Sequence, residues 1–362
     1  MNKRTNMVVL ALGADIKNRF LLAKDKKFYF GPVLGDLSLV ENYNSLKNSV
    51  YKIIRRDPPQ IIACDLHPGY FSSLLAEEVF NYLIKKSFKV RLIKVQHHFA
   101  HLGSLILEKK ISSPLIGVCF DGTGFGLDHN IWGGEFILAK GKKFIRLAYF
   151  NYIKMPGGER VISEPWRIAL SILGEKALPF LNKVKTREKK LILEMVSKSI
   201  NTPLTSSVGR LFDGLSALLG VCVYSSYEAE AAVKLEKLCK EEIDRVYKFK
   251  IDKKDNTFII DSQFLFLEIL KDIKKKTPKE VIATKFHNSL TGIVLKVVEI
   301  LSSEYNTQNV GLTGGVFQNN FLRKKVLKDL ASQGFKVFIN QDYPVNDLNI
   351  ALGQYYLARP YQ

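Results

Sequence analysis

The first hundred residues alternate between short apolar runs, which are typical of strands, and longer stretches with apolar residues at helical spacing. The apolar runs predict strands at 7–13, 20–23, 27–30, 61–65 and 88–95. The helical spacing predicts helices at 43–55 and 72–86. Because the first three runs follow one another closely, we expect a strand meander that leads into strand–helix alternation.

A second pattern of the same kind starts at Pro114. Its apolar runs predict strands at 115–120, 131–139, 144–150, 309–313 and 335–339. Between about 163 and 305 the chain is mostly helical in pattern, with a strand-like interruption at 246–260. A final helix is expected at 346–358.

A strand meander followed by strand–helix alternation, present twice, is the layout of the actin/hexokinase/Hsp70 superfamily. We therefore predict an α/β fold of this type, whose two lobes close over a nucleotide. The first lobe is expected at 1–112, with a C-terminal helix at 346–360 packing back on it. The second lobe is expected at 113–345, including a mostly helical insertion at 163–305.

The chain is strongly basic. Its 362 residues include 54 Lys and Arg against 35 Asp and Glu, which gives a formal net charge of +19. A surplus of this size favours anionic partners such as a nucleotide, an acidic peptide or a nucleic acid. The alternative is a lysine-rich solvated surface, because the lysines are spread along the chain.

The four cysteines show no paired spacing, and Cys64 and Cys119 lie inside apolar runs, so we expect reduced thiols. Reduced thiols fit the cytoplasm. The N-terminal residues lack the apolar stretch of a signal peptide, and no segment approaches the ~20 apolar residues that cross a bilayer. The sequence therefore predicts a cytoplasmic enzyme without a membrane partner.

The segment VQHHFAHL at 95–102 carries three of the six histidines. His97 and His101 are four residues apart, so on a helix they share one face and can bind the same metal ion. Asp121, where a buried strand meets a glycine loop, and Asp347, before the last helix, are the best further ligands. Two imidazoles with carboxylates suit Fe²⁺, Zn²⁺ or Mn²⁺. The alternative is a surface histidine pair with turn aspartates.

Three glycine-containing loops follow predicted strands, at 13–18, 121–126 and 313–319. Exposed backbone N–H groups in such loops and at helix N-termini attract phosphate. The first loop also carries Lys17. Each loop alone is typical of an ordinary strand–helix turn, but three of them in a two-lobed layout favour a bound nucleotide.

Several charged residues have both a substrate-binding and a structural interpretation. Asp213 either bonds a ribose hydroxyl or pairs with Arg210, and Glu228 has the same two kinds of interpretation. Arg160 and Arg167 either clamp an anionic substrate or serve a structural role near a helix start. The residue pattern leaves these alternatives open.

Ten motifs occur in one order over nearly the whole chain: ALGADIKN, IIACDLHPGY, VQHHFAH, FDGTGFG, IWGGEF, PGGERVISEPWRIAL, TSSVGRLFD, FHNSL, TGGVFQNN and NDLNIALGQ. Together they resemble the carbamoyltransferase (Kae1-like) domain of the HypF family of hydrogenase-maturation proteins. The resemblance implies the actin/hexokinase/Hsp70-like fold. It also implies transfer of a carbamoyl group from carbamoyl-adenylate to the C-terminal cysteine of HypE, on the way to the cyanide ligand of nickel–iron hydrogenase.

The resemblance further implies a set of site residues. The metal ligands are expected to be His97, His101, Asp121 and Asp347, with Fe²⁺ or Zn²⁺ as the ion. The resemblance also implies that Asp213, Glu228, Gly314, Gly315 and Asn319 bind the nucleotide, and the glycine loop after Asp121 adds Gly122, Thr123 and Gly124 as candidates. From the residue pattern, and not from the resemblance, the candidates for catalytic contacts with the substrate are His98, Lys17 and Arg160.

The implied ligand is ATP or carbamoyl-adenylate, and the implied acceptor is HypE. Because the chain begins at the transferase domain, we expect the adenylate to come from a separate YrdC-like protein or domain. The basic charge keeps a tRNA-modifying role open. The motifs nevertheless fit HypF better than the related tRNA-threonylcarbamoylation family TsaD, so a nucleic-acid partner is not expected.

Three motifs depart from the usual pattern of this family. Phe99 replaces one histidine of HHHAH, outside the ligand pair. Leu348 and Asn349 replace two glycines of NDGG, a change that could tighten the turn around Asp347. Glu230 replaces the glutamine of YEGQAA. Two alternatives therefore stay open: a small-molecule O-carbamoyltransferase, and a nucleotide- and metal-binding scaffold without turnover.

Overall fold

The computed structural model describes residues 7–24, 27–112 and 114–360. The strands in this part of the chain are β1 (Val8–Ala11), β2 (Leu21–Lys24), β3 (Lys27–Phe30), β4 (Ile61–Asp65), β5 (Arg91–Val95), β6 (Leu115–Phe120), β7 (Gly134–Lys140), β8 (Lys143–Phe150), β9 (Ile153–Lys154), β10 (Leu204–Thr205), β11 (Ile251–Lys254), β12 (Thr257–Ile260), β13 (Asn309–Thr313) and β14 (Lys336–Ile339). Residues 1–6 of the predicted first lobe and residue 113 of the predicted second lobe lie outside the described residues.

The α-helices in the same residues are α1 (Val40–Arg56), α2 (Phe71–Lys85), α3 (His97–Lys109), α4 (Arg160–Ser163), α5 (Trp166–Leu173), α6 (Thr186–Lys198), α7 (Val208–Leu218), α8 (Glu230–Glu236), α9 (Ser262–Lys274), α10 (Lys279–Tyr305), α11 (Asn320–Ser332) and α12 (Ile350–Ala358). Short 3-10 segments lie at Gly174–Phe180, Gly315–Gln318 and Asp347–Asn349. None of the helices in the described ranges is long and apolar enough to cross a membrane.

The first compact unit combines the described residues of Met1–Ser112, Gly124–Asp128 and Phe338–Gln362. Its sheet has the strand order β3-β2-β1-β4-β5. β1 runs antiparallel to β2 and parallel to β4, and β4 runs parallel to β5. The predicted strand meander is therefore confirmed. Because parallel strands end at the same edge of a sheet, the residues that follow β4 and β5 leave the sheet side by side.

Each face of this sheet has its own apolar core, because successive side chains along a strand point to opposite faces. On one face, Leu46 of α1 and Leu75 of α2 join Leu10 in one apolar cluster. On the other face, Ala351 of α12 joins Ala11. Burial of both faces explains why β1 and β4 are nearly continuous apolar runs rather than alternating ones.

The second compact unit combines the described residues of Ser113–Thr123 and His129–Val337. It is built on a sheet of strand order β11-β12-β8-β7-β6-β13-β14. Within this sheet β6 is antiparallel to β7 and parallel to β13. The loops that begin at Asp121 and Gly314 follow β6 and β13, so they leave the same edge of the sheet.

Several element boundaries differ from those expected from the sequence. β7 begins at Gly134 rather than at 131, because Ile131 instead forms an isolated bridge with Thr205. The strand-like segment expected at 246–260 is the β11–β12 hairpin, which occupies only the second part of that range. A strand was expected from 88, whereas β5 begins three residues later.

The last helix begins later than the expected range of 346–358. Asp347–Asn349 form a 3-10 turn, and α12 starts at Ile350. Phe317 lies in the 3-10 segment before α11, and Asn319 caps α11 by accepting a hydrogen bond from its third residue.

Helices α3 and α12 of the first unit pack at very short range. A Cβ atom at Gly353 would lie 1.7 Å from Ala100 O, and one at Gly103 would lie 3.3 Å from Gly353 O. Only glycine lets the two backbones approach this closely. The contact places the start of α12, just after Asp347, beside the helix that carries His97.

Candidate functional site

The histidine pair lies at the start of α3, directly after β5. Gln96 caps this helix, since its side-chain oxygen accepts a hydrogen bond from Phe99 N at 2.9 Å. His97 and His101 lie one helical turn apart, with their ring centroids 4.9 Å from each other. Their side chains are 1% and 0% exposed. The shared helix face expected from the spacing is confirmed, and the burial excludes a surface histidine pair.

The carboxylate of Asp347 faces both rings. Its Oδ1 lies 3.6 Å from His97 Nε2 and 3.4 Å from His101 Nε2. These distances are longer than an ordinary hydrogen bond. They match the separation of two ligands on one tetrahedral ion, which is about 3.3–3.6 Å for bonds of about 2.0–2.2 Å. One donor atom from each of the three residues lies within 4.8 Å of the others, so this donor set fits a divalent transition metal.

Asp65, at the end of β4, belongs to this cluster although the residue pattern did not single it out. Its side chain is 1% exposed, and its Oδ2 lies 2.8 Å from His97 Nδ1. Its Oδ1 accepts a hydrogen bond from His67 N at 2.9 Å. A carboxylate on the far nitrogen of a metal-binding histidine fixes the tautomer, so that Nε2 offers its lone pair to the ion. The sequence feature that could have identified Asp65 is an apolar strand that ends in an acid. The same feature occurs where Asp121 follows β6.

The charges of the cluster support each other. Burial by itself would lower the pKa of His97, but the Asp347 and Asp65 carboxylates outweigh it and raise the pKa well above the usual value. Burial by itself would raise the pKa of Asp347, but His101 and His97 outweigh it and lower that pKa. Because a metal ion binds the neutral imidazole, metal binding is expected to release a proton from this cluster.

Asp65→Asn is expected to weaken metal binding by about 10–100-fold, because an amide has one acceptor oxygen in place of the two that bind His97 Nδ1 and His67 N. The affinity is measured by competition with a chromophoric chelator. Glu77→Gln is the matched control, since Glu77 is a half-exposed acid of the same unit that pairs with Lys94 on the surface, at 2.7 Å. An affinity within twofold of the wild type would rule out this role for Asp65.

His98 occupies the same first turn of α3 and is fully buried. Its Nδ1 lies 3.3 Å from Gln96 Nε2, and the same amide donates a hydrogen bond to Phe125 O at 3.1 Å. A Cβ atom at Gly124 would lie only 2.4 Å from His98 Cε1. Two of the predicted site residues, His98 and Gly124, are thus packed against each other, and a larger residue at 124 would displace the imidazole.

Asp121 lies in the second unit, directly after β6. Its backbone oxygen accepts hydrogen bonds from Ser207 Oγ at 2.7 Å and from Gly209 N at 3.1 Å, at the start of α7. A Cβ atom at Gly209 would lie 2.9 Å from Gly122 Cα. Gly122 therefore lies against the N-terminus of α7, where backbone N–H groups favour an anion. Thr123 follows it and is half-buried.

The second predicted glycine pair lies on the neighbouring loop, after β13. Gly314 has φ +98°, and a Cβ atom there would lie 2.3 Å from Phe120 O. A Cβ atom at Gly315 would lie 3.1 Å from Asp121 Oδ1. Within the second unit, the structure therefore brings together the two glycine loops that the sequence places about 190 residues apart.

Asn319 bonds within the protein through both of its side-chain groups. Its Oδ1 accepts from Leu322 N at 2.9 Å, and its Nδ2 lies 2.9 Å from His287 Nε2. His287 Nδ1 lies 2.8 Å from Ala283 O, so the ring is held as the neutral tautomer that donates from Nδ1. Burial lowers the pKa of His287 to about 4 and raises the pKa of the neighbouring Cys239 to about 12. This pair is therefore a neutral structural contact and not an activated thiol.

The burial of His287 predicts an acid-sensitive contribution to stability. Between pH about 6.5 and about 4 the unfolded chain binds a proton that the folded chain excludes, so stability falls as the pH falls through this range. The expected loss is about 3 kcal/mol in total, at about 1.4 kcal/mol per pH unit. Asp213 acts in the opposite direction, because burial raises its pKa to about 6.

The free energy of unfolding is therefore compared between the variant and the wild type at each pH. The contribution of Asp213 is the same in both proteins and cancels in the difference. His287→Gln is expected to be less stable than the wild type at pH 7, with a gap that narrows by about 2–3 kcal/mol at pH 4.5 in urea unfolding. His129→Asn, at an exposed position with φ +63°, is the control for the loss of a histidine elsewhere in the chain. A gap of constant size would show that His287 does not titrate as described.

The other predicted nucleotide contacts lie in different environments. Asp213 is buried and its Oδ2 lies 3.1 Å from Arg210 NH1, which is the pairing interpretation of that residue. Glu228 is exposed. In the same motif Glu230 is buried and accepts hydrogen bonds from Ser226 N at 2.6 Å and from Ser226 Oγ at 2.9 Å. The ribose contacts of Asp213 and Glu228 stay predictions.

The predicted cationic contacts lie in two separate segments. Lys17 lies in the β1–β2 loop with a left-handed φ of +54°. Arg160 is largely exposed, and its Nε donates to Glu164 Oε1 at 2.8 Å. Arg167 is buried and its Nε donates to Glu164 Oε2 at 2.6 Å. The two arginines therefore share one carboxylate, and their contact with a substrate stays a prediction.

Two protein-family models match this chain, one in its N-terminal part and one in the remainder. Residues 4–108 match the family described as the HypF Kae1-like domain, and residues 117–354 match the second subdomain of the Kae1-like carbamoyltransferase domain. A probable carbamoyltransferase HypF of Methanocaldococcus jannaschii is 30% identical over 98% of this chain and 46% of its own length. A carbamoyltransferase HypF of Synechocystis sp. is 31% identical over 97% of this chain and 47% of its own length.

The chain thus spans about half the length of these two curated relatives, but 91% of a carbamoyltransferase HypF homolog from Cupriavidus necator, which is 30% identical. Solved structures of HypF proteins are also similar to this chain. Full-length HypF in its phosphate- and nucleotide-bound form matches with a TM-score of 0.90 at 33% identity, over 99% of this chain and 56% of that one. HypF of T. kodakarensis matches with a TM-score of 0.85 at 30% identity, over 97% and 48%. The predicted α/β fold is confirmed, and it is the fold of these HypF structures.

Proposed function

This chain belongs to the HypF family of Kae1-like carbamoyltransferase domains, and we propose that it transfers a carbamoyl group from carbamoyl-adenylate to the C-terminal cysteine of HypE. The observation that carries the proposal is the pair of buried imidazoles of His97 and His101 that faces Asp347, with Asp65 bonded to His97, in a chain of this family. The adenylate is proposed to come from a YrdC-like protein or domain.

The proposed metal ligands are His97, His101, Asp347 and, as the fourth, Asp121. The distances from Asp347 to the two imidazoles support the first three. The position of Asp121 after a buried strand, at the head of a glycine loop, supports the fourth. A divalent ion such as Fe²⁺ or Zn²⁺ would offset the charge of the adenylate phosphate.

The glycine loops of the second unit are proposed to hold the nucleotide. Gly122 lies next to the start of α7, and Gly314 lies next to the end of β6. Because neither residue has a side chain, the backbone at both places can approach a phosphate closely. Asp213 and Glu228 are proposed to bind the ribose. Gly315, Thr123, Gly124 and Asn319 complete the predicted nucleotide set.

In the proposed reaction the acceptor sulfur bonds to the carbamoyl carbon, the bond from that carbon to the phosphate oxygen breaks, and AMP leaves with the electron pair. The thiol must lose its proton, because the thiolate is the nucleophile. His98, Lys17 and Arg160 are proposed to contact the substrate: the imidazole is placed beside the ligand pair, and the cations favour the phosphate. The chain's contribution is to hold the two reactants in position.

The test supplies carbamoyl-adenylate and purified HypE to the purified chain and follows the HypE tail by mass spectrometry. The expected result is the gain of one carbamoyl group, which is lost when the C-terminal cysteine of HypE is changed to serine. Absence of that gain, with the adenylate still bound by the chain, would instead support a nucleotide- and metal-binding scaffold without turnover.

A further inference from the structure

The segment between β14 and α12, which contains Asp347, is attached to the far end of the helix that carries the histidines. Glu108 lies one residue before the end of α3, and its side chain is 1% exposed. Its Oε2 accepts a hydrogen bond from Asn340 Nδ2 at 2.7 Å. Its Oε1 accepts from Gln341 N at 2.8 Å and from Asp342 N at 3.3 Å. One buried carboxylate therefore binds three donors at the start of this segment.

The hydrogen bonds continue from there towards Asp347. Asn349 is fully buried, and its Nδ2 donates to Asn340 Oδ1 at 3.3 Å and to Pro344 O at 2.7 Å. Asn349 N also donates to Asn346 O at 3.1 Å. Asp347 thus lies between two asparagines that are bonded within the segment, and one of them is linked through Asn340 to α3.

The charge of Glu108 strengthens this attachment. Burial by itself would raise the pKa of Glu108, but the hydrogen bonds from Asn340 and Gln341 outweigh it and lower the pKa. The carboxylate is therefore ionised at neutral pH, and hydrogen bonds to an ionised acceptor are roughly twice as strong as neutral ones. Lys109 Nζ lies 2.9 Å from Glu108 Oε1 and donates to Gln341 Oε1 at 2.7 Å, which closes the contact from the other side.

From these contacts we infer that Glu108 is a positioning residue for Asp347 in the metal site. His97 and Glu108 lie about 16 Å apart along one helix, at about 1.5 Å per residue. The helix α3 therefore carries the histidines at its N-terminal end. At its C-terminal end Glu108 holds the segment that contains Asp347. This inference rests on the proposed function of His97, His101 and Asp347 as metal ligands.

The test is a titration of the metal-free protein with Co²⁺ and with Zn²⁺. In Glu108→Gln an amide N–H₂ replaces one oxygen and faces a donor of Asn340 or Gln341, so at least one of these hydrogen bonds is lost. We expect Glu108→Gln to weaken binding of both ions by about tenfold, as for other residues that orient a ligand. The visible absorption of bound Co²⁺ is expected to change as well, because the position of one ligand changes.

Asn349→Ala removes the second link of the same chain of hydrogen bonds and is expected to have the same effects on affinity and spectrum. Glu77→Gln is the control on the half-exposed surface of the first unit and should leave both unchanged. All titrations are made at a temperature where circular dichroism shows that each metal-free variant is folded. A variant that does not fold leaves the other as an independent measurement.

A purely structural role for Glu108 predicts a different result. In that case both variants would melt at a lower temperature but bind Co²⁺ with the affinity and spectrum of the wild type, and the inference would be overturned. If the wild type itself binds neither ion, the metal site of the proposed function fails, and the inference fails with it. If the wild type binds and both variants bind as tightly as the wild type, the proposed function stands and the inference alone is wrong.

Discussion

His97→Ala and His101→Ala are each expected to lose the metal ion and the carbamoyl transfer that we propose. Each imidazole Nε2 faces Asp347 at 3.6 or 3.4 Å and the two imidazoles are buried, so removing either one removes a ligand that is already in position. Zinc bound by four protein ligands is held by about 10–16 kcal/mol, so one ligand is worth about 3 kcal/mol and its loss lowers affinity by about a hundredfold or more.

The metal content is measured by elemental analysis after dialysis, and the transfer is measured on the HypE tail. His129→Ala, at an exposed position, is the matched control and should keep both. A chelator is also expected to lower the melting temperature of the wild type but not that of the two variants, because only a bound ligand stabilises the folded state. Full metal content in both variants would refute the site.

The second large effect is expected at the contact between α3 and α12. Gly353→Ala places a methyl group 1.7 Å from Ala100 O, whereas carbon and oxygen in contact are about 3.2 Å apart or more. The obstacle is backbone and not a flexible side chain, so the two helices must separate by more than about 1 Å. We expect a loss of about 4 kcal/mol or more, or failure to fold. Because Asp347 precedes α12, the remaining folded protein should also bind metal weakly.

Gly292→Ala is the matched control, since this glycine also lies inside a helix, α10. A Cβ atom there would meet only the Phe249 ring, at 3.4 Å, which is ordinary contact. The substitution should therefore be neutral or stabilising by up to about 1 kcal/mol, as helix propensity predicts. Both variants are compared with the wild type by urea unfolding. If Gly353→Ala lies within about 1 kcal/mol of the wild type, the close packing described for α3 and α12 is wrong.

The NDLN segment shows where a pattern of residue types and the structure diverge. The loss of two glycines suggested a tighter turn around Asp347. The turn is instead a 3-10 segment in which Asn349 has φ −97°, a conformation that any residue adopts. The side chain of Asn349 also bonds Pro344 O, which a glycine could not do. Asp347 therefore lies 3.4 Å from His101 Nε2 despite the altered motif.

Several expectations stay predictions. They are the lobe boundaries at 112/113 and 345/346, the cytoplasmic location, HypE as the acceptor, and the roles of His98, Lys17 and Arg160. The structure gives these three side chains different environments: His98 is buried beside the ligand pair, Lys17 is half-buried and Arg160 is largely exposed. A readout of transfer in variants at these positions would separate a substrate contact from a structural role.

The sequence by itself determined the strand meander, the helices, the shared face of His97 and His101 and the family, because periodicity and motif spacing are encoded within a few neighbouring residues. The sequence also placed Asp347 among the candidate ligands, but only the tertiary structure showed that Asp65 and Glu108 contact the elements of this site. Asp65 bonds His97 across 32 residues, and Glu108 bonds Asn340 across 232. Such contacts depend on which strands lie side by side and on how closely α3 and α12 approach. Those arrangements result from the packing of the whole unit, and no local pattern of residue types specifies them.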